Sequence, residues 1–379
     1  MFVCRGIKKI EKENVIMGQL DGVKVVELAT FIAAPSCARI LASYGADVIK
    51  VEAPRGDDLR TAARQYYYPA PEGDEDLGMN VQNFNKKDLA INLKDPKGME
   101  AFLKLLETAD VFITNNRVKS LVKMGLDYDT LHKKFPRLIH ASILGYGEEG
   151  PLKDKPGFDY TAYFARGGIA NSLMEKGTSP CNAASGFGDN YAGIALSSGI
   201  CAALYRQAKT GEGERVTVGL FDTAIYGLNW LLGPVNFGSE LPMTRKHTNS
   251  ATCTTYKTKD GRWIQLAVIQ YMKSIETLAN ALEIPEILQD ERFNQYENML
   301  QHIEELVDVI EVAFAKKTLA EWQDILTKAD VPFETVQTMD EIANDPQAWA
   351  NDYIFKKPGP GGKDVYYVRT PIVFTEQPA

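Results

Sequence analysis

The sequence offers little from which to build a metal centre or a disulfide framework. Its five cysteines, Cys4, Cys37, Cys181, Cys201 and Cys253, are scattered with no C-x-x-C pair, and thiols placed this way read as free groups in a reducing cytosol. The four histidines, His132, His140, His247 and His302, are as dispersed, so the paired ligands of a metal site are missing and no metal is expected. No apolar run approaches the roughly 20 residues that cross a bilayer. The opening MFVCRGIKKIEKENVIM lacks the apolar core and small-residue cleavage site of a secretory signal. These absences predict a cytoplasmic chain with no membrane partner, and residues 1–16 read as an extension without a structural role. Positive charge is also short: 42 Lys and Arg face 50 Asp and Glu, a net charge of −8. That balance excludes a general nucleic-acid binder while leaving room for a local basic patch.

What is present is an ordinary globular composition, 45% hydrophobic and 24% charged over 379 residues, long enough for two domains. From Val23 to Gly147, short apolar runs (VKVVELA, DVIKVE, LAINL, VFITNN, LIHASILGYG) alternate with helical segments, as a parallel α/β sheet requires. Pro35 opens one helix that Gly45 closes, and Pro96 opens another. The expected fold is α/β: a Rossmann-like large domain with a parallel sheet over residues 18–210, a linker over 211–245, a smaller α+β domain over 246–330, and a return segment over 331–379. In the smaller domain TYKTKDGRWIQLAVI reads as a hairpin turning at Asp260-Gly261. Small residues fill the helix Asn190 to Ala208, which suits tight packing within the core or between two chains.

Three features carry chemistry. GYGEEG, Gly145 to Gly150, fits the dinucleotide fingerprint G-x-G-x-x-G, but Pro151, Pro156 and Gly157 follow where a helix should begin. No nicotinamide or flavin site is expected there. Lysines and arginines recur on the loops at the predicted strands: Arg55 and Arg60, Lys86 and Lys87, then Arg117, Lys119 and Lys123. Each is commonplace alone; together, on one rim of an acidic protein, they point to a multi-phosphate ligand. The third feature is SGFGDNYAG, where Asp189 stands at the start of a helix, a place that favours an anion. Asp is among the best N-caps, so one reading makes it a cap. The other makes the carboxylate a nucleophile toward an activated acyl group, which suits a chain with no Ser-His or Cys-His arrangement in view.

The ordered series GVKVVELATFIAAPSCARILASYGADVIKVEAPRGDDLR, NKKDLAINLKDPKG, ADVFITNNRVKSLVKMGLDYDTL, PRLIHASILGYGEEGP, PGFDYTA and GFGDNYAG resembles the family III CoA-transferases, from about Leu20 onward. Within that family it is most similar to enzymes that pass CoA among 2-hydroxy acids and their 2-enoyl counterparts in amino-acid-fermenting anaerobes. The resemblance implies acyl-CoA and carboxylic-acid substrates, no cofactor beyond coenzyme A as co-substrate, and an interlocked homodimer. It makes Asp189 the nucleophile, passing through a mixed anhydride and an aspartyl-CoA thioester. It assigns CoA contacts to Phe31, Ile32 and Ala33, to Asn85 and Lys86, to Asn115, Asn116 and Arg117, and to Lys123. Leu144, Gly145, Tyr146 and Gly147 should border the thioester, and Arg60 joins the set from the basic rim. Backbone amides near Gly145, Gly147 and Gly188 are expected to face developing oxyanions. Phe158, Tyr160, Tyr163, Phe164 and Phe187 either wall an acyl pocket or pack the core. Racemases of the family carry His where this chain has Phe158, which speaks against racemisation. An acyl-CoA racemase and a non-catalytic acyl-CoA-binding protein are the two rival readings.

Overall fold

A computed structural model describes residues 18–60, 77–239, 241–359 and 362–375; residues 1–16, read above as an extension, lie outside them. The chain divides into two compact units. One takes in residues to Ile169, Ala183–Gly233 and the segment from Trp349 on; the other comprises Ala170–Asn182 and Pro234–Ala348.

The first unit is built on six strands: β1 (Lys24–Leu28), β2 (Asp47–Glu52), β3 (Lys87–Ala90), β4 (Val111–Thr114), β5 (Ile139–Leu144) and β6 (Arg215–Gly219). Every neighbouring pair is parallel, in the order β3-β2-β1-β4-β5-β6. β4 and β5 are buried throughout, as strands covered on both faces must be, which is why they read as unbroken apolar runs. The order reverses between β1 and β4. In such sheets the loops leaving the strands on either side of that switch part to form the ligand crevice.

Helix α1 (Ala33–Ser43) follows β1 directly, with Pro35 in its first turn and Gly45 beyond its end at φ 97°. Helix α2 (Pro96–Glu107) has proline at its first position, and the Asp95 side chain caps it by accepting from the Lys97 amide. Helix α3 (Val118–Met124) leaves the loop after β4. The long helix α4 (Phe187–Thr210) carries the small-residue face. A Cβ at Gly193 would stand 2.8 Å from the Ser36 side chain, so the small face brings α4 against α1 in the same chain.

The structure departs from the sequence reading in several places. Residues 211–245 are not one connector, because Arg215–Gly219 is the sixth strand of the sheet and Leu220–Gly227 a helix behind it. β3 starts two residues before LAINL and ends at Ala90. VYYVRTPIVFT is not one strand. Strand β11 (Asp364–Val368) instead closes an antiparallel hairpin with β10 (Ile354–Pro358). The second unit carries an antiparallel sheet of β7 (Thr255–Lys257), β8 (Trp263–Leu266) and β9 (Phe333–Thr335), with Gly261 at φ 81° in the hairpin turn. β9 therefore puts part of the supposed return segment in the second unit; at three residues it is too short to show a period. That unit's core includes Tyr256, stacked on Phe314 at 5.2 Å, and fully buried Trp322.

Candidate active site

The site grows from the loop after β1. Phe31 takes a left-handed φ of 62° there, an unusual conformation for an aromatic residue that its surroundings must enforce. Its amide donates to Asp57 Oδ1 at 3.2 Å. Asp57 in turn meets the Lys50 ammonium at 2.9 Å, which also holds Glu27 at 2.9 Å and donates to the Ala29 carbonyl. The same Glu27 meets Lys86 Nζ at 2.7 Å, and Lys86 donates further to the Pro35 carbonyl and Asn83 Oδ1, each at 2.8 Å. Two ammonium groups and two carboxylates thus balance inside the protein, with no exposed side-chain surface on Glu27, Lys50, Lys86 or Asp57. Burial draws Lys86 down to about 8 against the pull of Glu27. The resemblance assigned Lys86 to CoA; here its ammonium has no exposed surface and its three donors are committed beneath the loop, which they fix.

The loop after β4 is tied to the first by a reciprocal pair: the Thr30 amide donates to Asn115 Oδ1 at 3.1 Å, and Asn115 Nδ2 donates to the Thr30 carbonyl at 2.7 Å. Asn116 turns inward, donating to the Leu28 carbonyl at 3.0 Å. Arg117 stays exposed at the start of α3, and among the described residues it has no ion-pair partner.

The start of α4 answers whether Asp189 is a cap. The N-cap is Gly186, left-handed at φ 74°, and Asp189 sits in the first turn with no side-chain hydrogen bond among the described residues. The capping carboxylate is Asp159, from a π-helical segment Asp159–Arg166, whose Oδ1 accepts from the Gly188 amide at 3.1 Å. Burial lifts Asp159 to about 6, while the amides of Gly186, Gly188 and Phe187 hold it back. Asp189 rises to about 7, first through burial and then through the charge of Asp159. Burial therefore outweighs the helix dipole, which alone would favour ionisation there. Gly188 is required at this junction, since a Cβ would fall 2.2 Å from Tyr163 Cγ and 2.5 Å from Asp159 Oδ1. Its amide is spent on Asp159 and is not the oxyanion donor expected from the sequence.

Asp189 opens into a cavity of about 280 Å³ together with Phe31, Ala33, Asn115, Arg117, Leu144 and Gly145. These seven residues, gathered from the ends of three strands and the first turn of α4, come together as the sequence reading grouped them. The others lie elsewhere. Ile32 accepts from Gln82 through its carbonyl, and Arg60 is clasped by Glu52 at 2.9 and 3.1 Å. Asn85 is exposed and left-handed at φ 65°, and Lys123 is exposed on α3. Tyr146 has the Lys155 ammonium 5.8 Å from its ring, while Gly147 lies beside it at φ 91°. The cavity also holds Lys153 and Lys155, which the sequence reading passed over. Both stand in GPLKDKPGF, directly after β5, so the rule that found the other basic loops would have found them. Asp159 was missed as well. The aromatic set splits: Tyr163 and Phe164 are buried core, whereas Phe158 lines the cavity edge-on to Phe31 at 6.1 Å. Residues 145–150 lead into turns rather than a helix, and Glu148 pairs with Arg215 at 3.1 Å.

The site is thus a lone carboxylate facing a cavity with three cations, at the switch point of a doubly wound sheet. Residues 20–379 match CoA-transferase family III. The chain belongs to that family. It is 51% identical to the (R)-2-hydroxy-4-methylpentanoate CoA-transferase of Clostridioides difficile, across 94% of this chain and 90% of that protein. It is 43% identical to the cinnamoyl-CoA:phenyllactate CoA-transferase of Clostridium sporogenes, across 94% and 87%. Among solved structures, a CaiB/BaiF family protein from Brucella suis superposes with a TM-score of 0.82 at 30% identity, covering 96% of this chain and 94% of the other. A family III CoA-transferase uses CoA as a co-substrate. Among the described residues no helix is long and apolar enough to cross a membrane.

Proposed function

We propose that this CoA-transferase moves CoA between an acyl-CoA donor and a carboxylic-acid acceptor, a 2-hydroxy acid and its 2-enoyl counterpart, with Asp189 as nucleophile. The observation that carries the reading is the Asp189 carboxylate itself, free of hydrogen-bond partners among the described residues and facing a cavity that holds Arg117, Lys153 and Lys155. An Asp189 oxygen attacks the thioester carbonyl and the C–S bond breaks, leaving a mixed anhydride and CoA thiolate. The thiolate attacks the aspartyl carbonyl, the anhydride C–O bond breaks, and the donor acid departs as its carboxylate from an aspartyl-CoA thioester. The acceptor carboxylate then runs both steps in reverse. One activated acyl replaces another throughout, so barriers rather than driving force set the rate.

A carboxylate near 7 is a more basic nucleophile than an ordinary aspartate, at the expense of its ionised share at neutral pH. Arg117, Lys153 and Lys155 meet the anionic CoA, and the amide of Gly145, at the cavity beside Asp189, faces the developing oxyanion. No cofactor beyond CoA takes part. Two relatives named for 2-hydroxy acids support that acid class here, and the reading is of a cytoplasmic enzyme of amino-acid fermentation. Phe158 stands where a racemase needs a base, which argues against that rival. A homodimer is supported by a row of exposed apolar side chains, Tyr226, Trp230 and Leu232 at 70%, 86% and 56% exposure, which a second copy would cover. Incubation with an acyl-CoA followed by hydroxylamine tests the mechanism. Peptide mapping should find the hydroxamate at Asp189; modification elsewhere would remove Asp189 as nucleophile, and none would leave a non-catalytic acyl-CoA-binding protein.

A further inference from the structure

A second cavity of about 370 Å³ shares no lining residue with the one at Asp189. α1 contributes Ser36 and Arg39, α4 contributes Asn190, and the chain leaving β11 contributes Arg369 and Thr370. Two guanidinium groups therefore reach one cavity. Its described lining contains no Asp or Glu, and neither arginine forms an ion pair among the described residues.

Arg39 donates one guanidinium nitrogen to the Val368 carbonyl, and the Arg369 guanidinium lies over the Tyr353 ring at 5.6 Å. Those contacts orient the groups without neutralising them. Three buried polar atoms here have no partner among the described residues: Arg39 Nε, Arg369 Nε and the hydroxyl of Thr370, a residue only 6% exposed. A buried donor left unmade is costly, so native proteins rarely leave several together. Burial moreover draws Arg39 below its ordinary value, with no carboxylate opposing it. One kind of occupant resolves all of this: an acceptor-rich, negatively charged group matched to the forked donors of arginine.

We propose that this cavity is a binding site for an oxyanion of the phosphate class, held by Arg39, Arg369 and the Thr370 hydroxyl and separate from the reaction centre. The occupant is a free ion rather than a phosphate carried on a nucleotide.

The test is the full-length protein titrated with inorganic phosphate in a chloride buffer of matched ionic strength, followed by calorimetry and thermal melting. Saturable binding and a rise in melting temperature are expected. Arg369→Gln and Thr370→Val, each first checked by circular dichroism for native folding in chloride, should weaken phosphate by about tenfold or more and by a few-fold respectively. Thr370→Val keeps shape and removes only the hydroxyl, so it remains informative if the arginine variant does not fold. Adenosine 3′,5′-diphosphate should not displace the bound phosphate. Undiminished affinity in both variants, or no saturable binding beyond chloride, overturns the site. Displacement by the nucleotide overturns the free-ion assignment. Repeating the titration in Asp189→Asn separates this outcome from the fate of the transfer mechanism, because phosphate should bind that variant as well as the parent.

Discussion

Replacing Asp189 with asparagine should make the protein more stable, and more so as pH rises. The folded carboxyl sits near 7 against an ordinary 3.8, so the native state holds the proton more tightly than the unfolded chain does. A group shifted in this direction adds nothing below the unfolded value. It destabilises progressively as pH climbs from about 4, and its full penalty is present above about pH 7. At about 1.4 kcal/mol per tenfold, the whole rise corresponds to roughly 4 kcal/mol. Asp189 is only half-buried, and solvent at its exposed face screens part of that, so about 2 kcal/mol is the working figure. Asparagine keeps the shape and carries no charge. For a cooperative unit of this size the gain is roughly 5 °C in melting temperature near pH 8, shrinking toward zero near pH 4. Differential scanning calorimetry of both proteins across that range reads it directly, with hydroxylamine trapping confirming that the variant has lost turnover. A variant that melts no higher than the parent at pH 8, or by the same margin at every pH, would show that the carboxylate is not held against its own ionisation.

Other outcomes follow from the same geometry. Transfer activity should rise with pH through about 7 as Asp189 ionises, and kcat/KM against pH checks it. Asp159→Asn keeps an oxygen for the Gly188 amide but removes the second cause of the Asp189 shift. The acid limb of that profile should therefore move to lower pH, with burial, the larger cause, retaining most of the shift. Gly188→Ala drives a methyl against the Tyr163 ring and Asp159 and should cost about 1–3 kcal/mol in a denaturant titration. Exchanging Lys153 and Lys155 together for glutamine removes two of the three cations at the cavity. KM for the acyl-CoA should rise several-fold at low salt, the difference from the parent shrinking as added salt screens the attraction, with kcat little changed.

Much of the large sheet was legible because buried parallel strands announce themselves as apolar runs, and because Pro96 and Gly45 punctuate their neighbours. The seven cavity residues were legible through motif order. Two kinds of fact were not. The carboxylate that caps α4 lies 29 residues before the amide it accepts from, so local spacing made Asp189 the natural cap. Lys86 looked like a phosphate ligand because its partner Glu27 is 59 residues away.

Yet the buried network left a trace that local reading overlooked. In VKVVELA and DVIKVE, apart from the charges at the strand ends, Glu27 and Lys50 interrupt apolar strands, and a fully covered parallel sheet cannot hold either charge alone. If the two strands are neighbours, those charges must meet. The register pairs Glu27 with Lys50 directly across β1 and β2, and the ammonium–carboxylate distance there is 2.9 Å. Opposite charges inside adjacent apolar runs therefore specify both the strand pairing and its register. Here they also fix where the chain leaves β1, because Lys50 holds the Ala29 carbonyl as well as Asp57, and Asp57 holds the amide of Phe31 at the mouth of the active-site cavity. The same two interruptions that argue for a pairing thus argue for a site: a charge is kept inside the sheet where it shapes the loop that a ligand must meet.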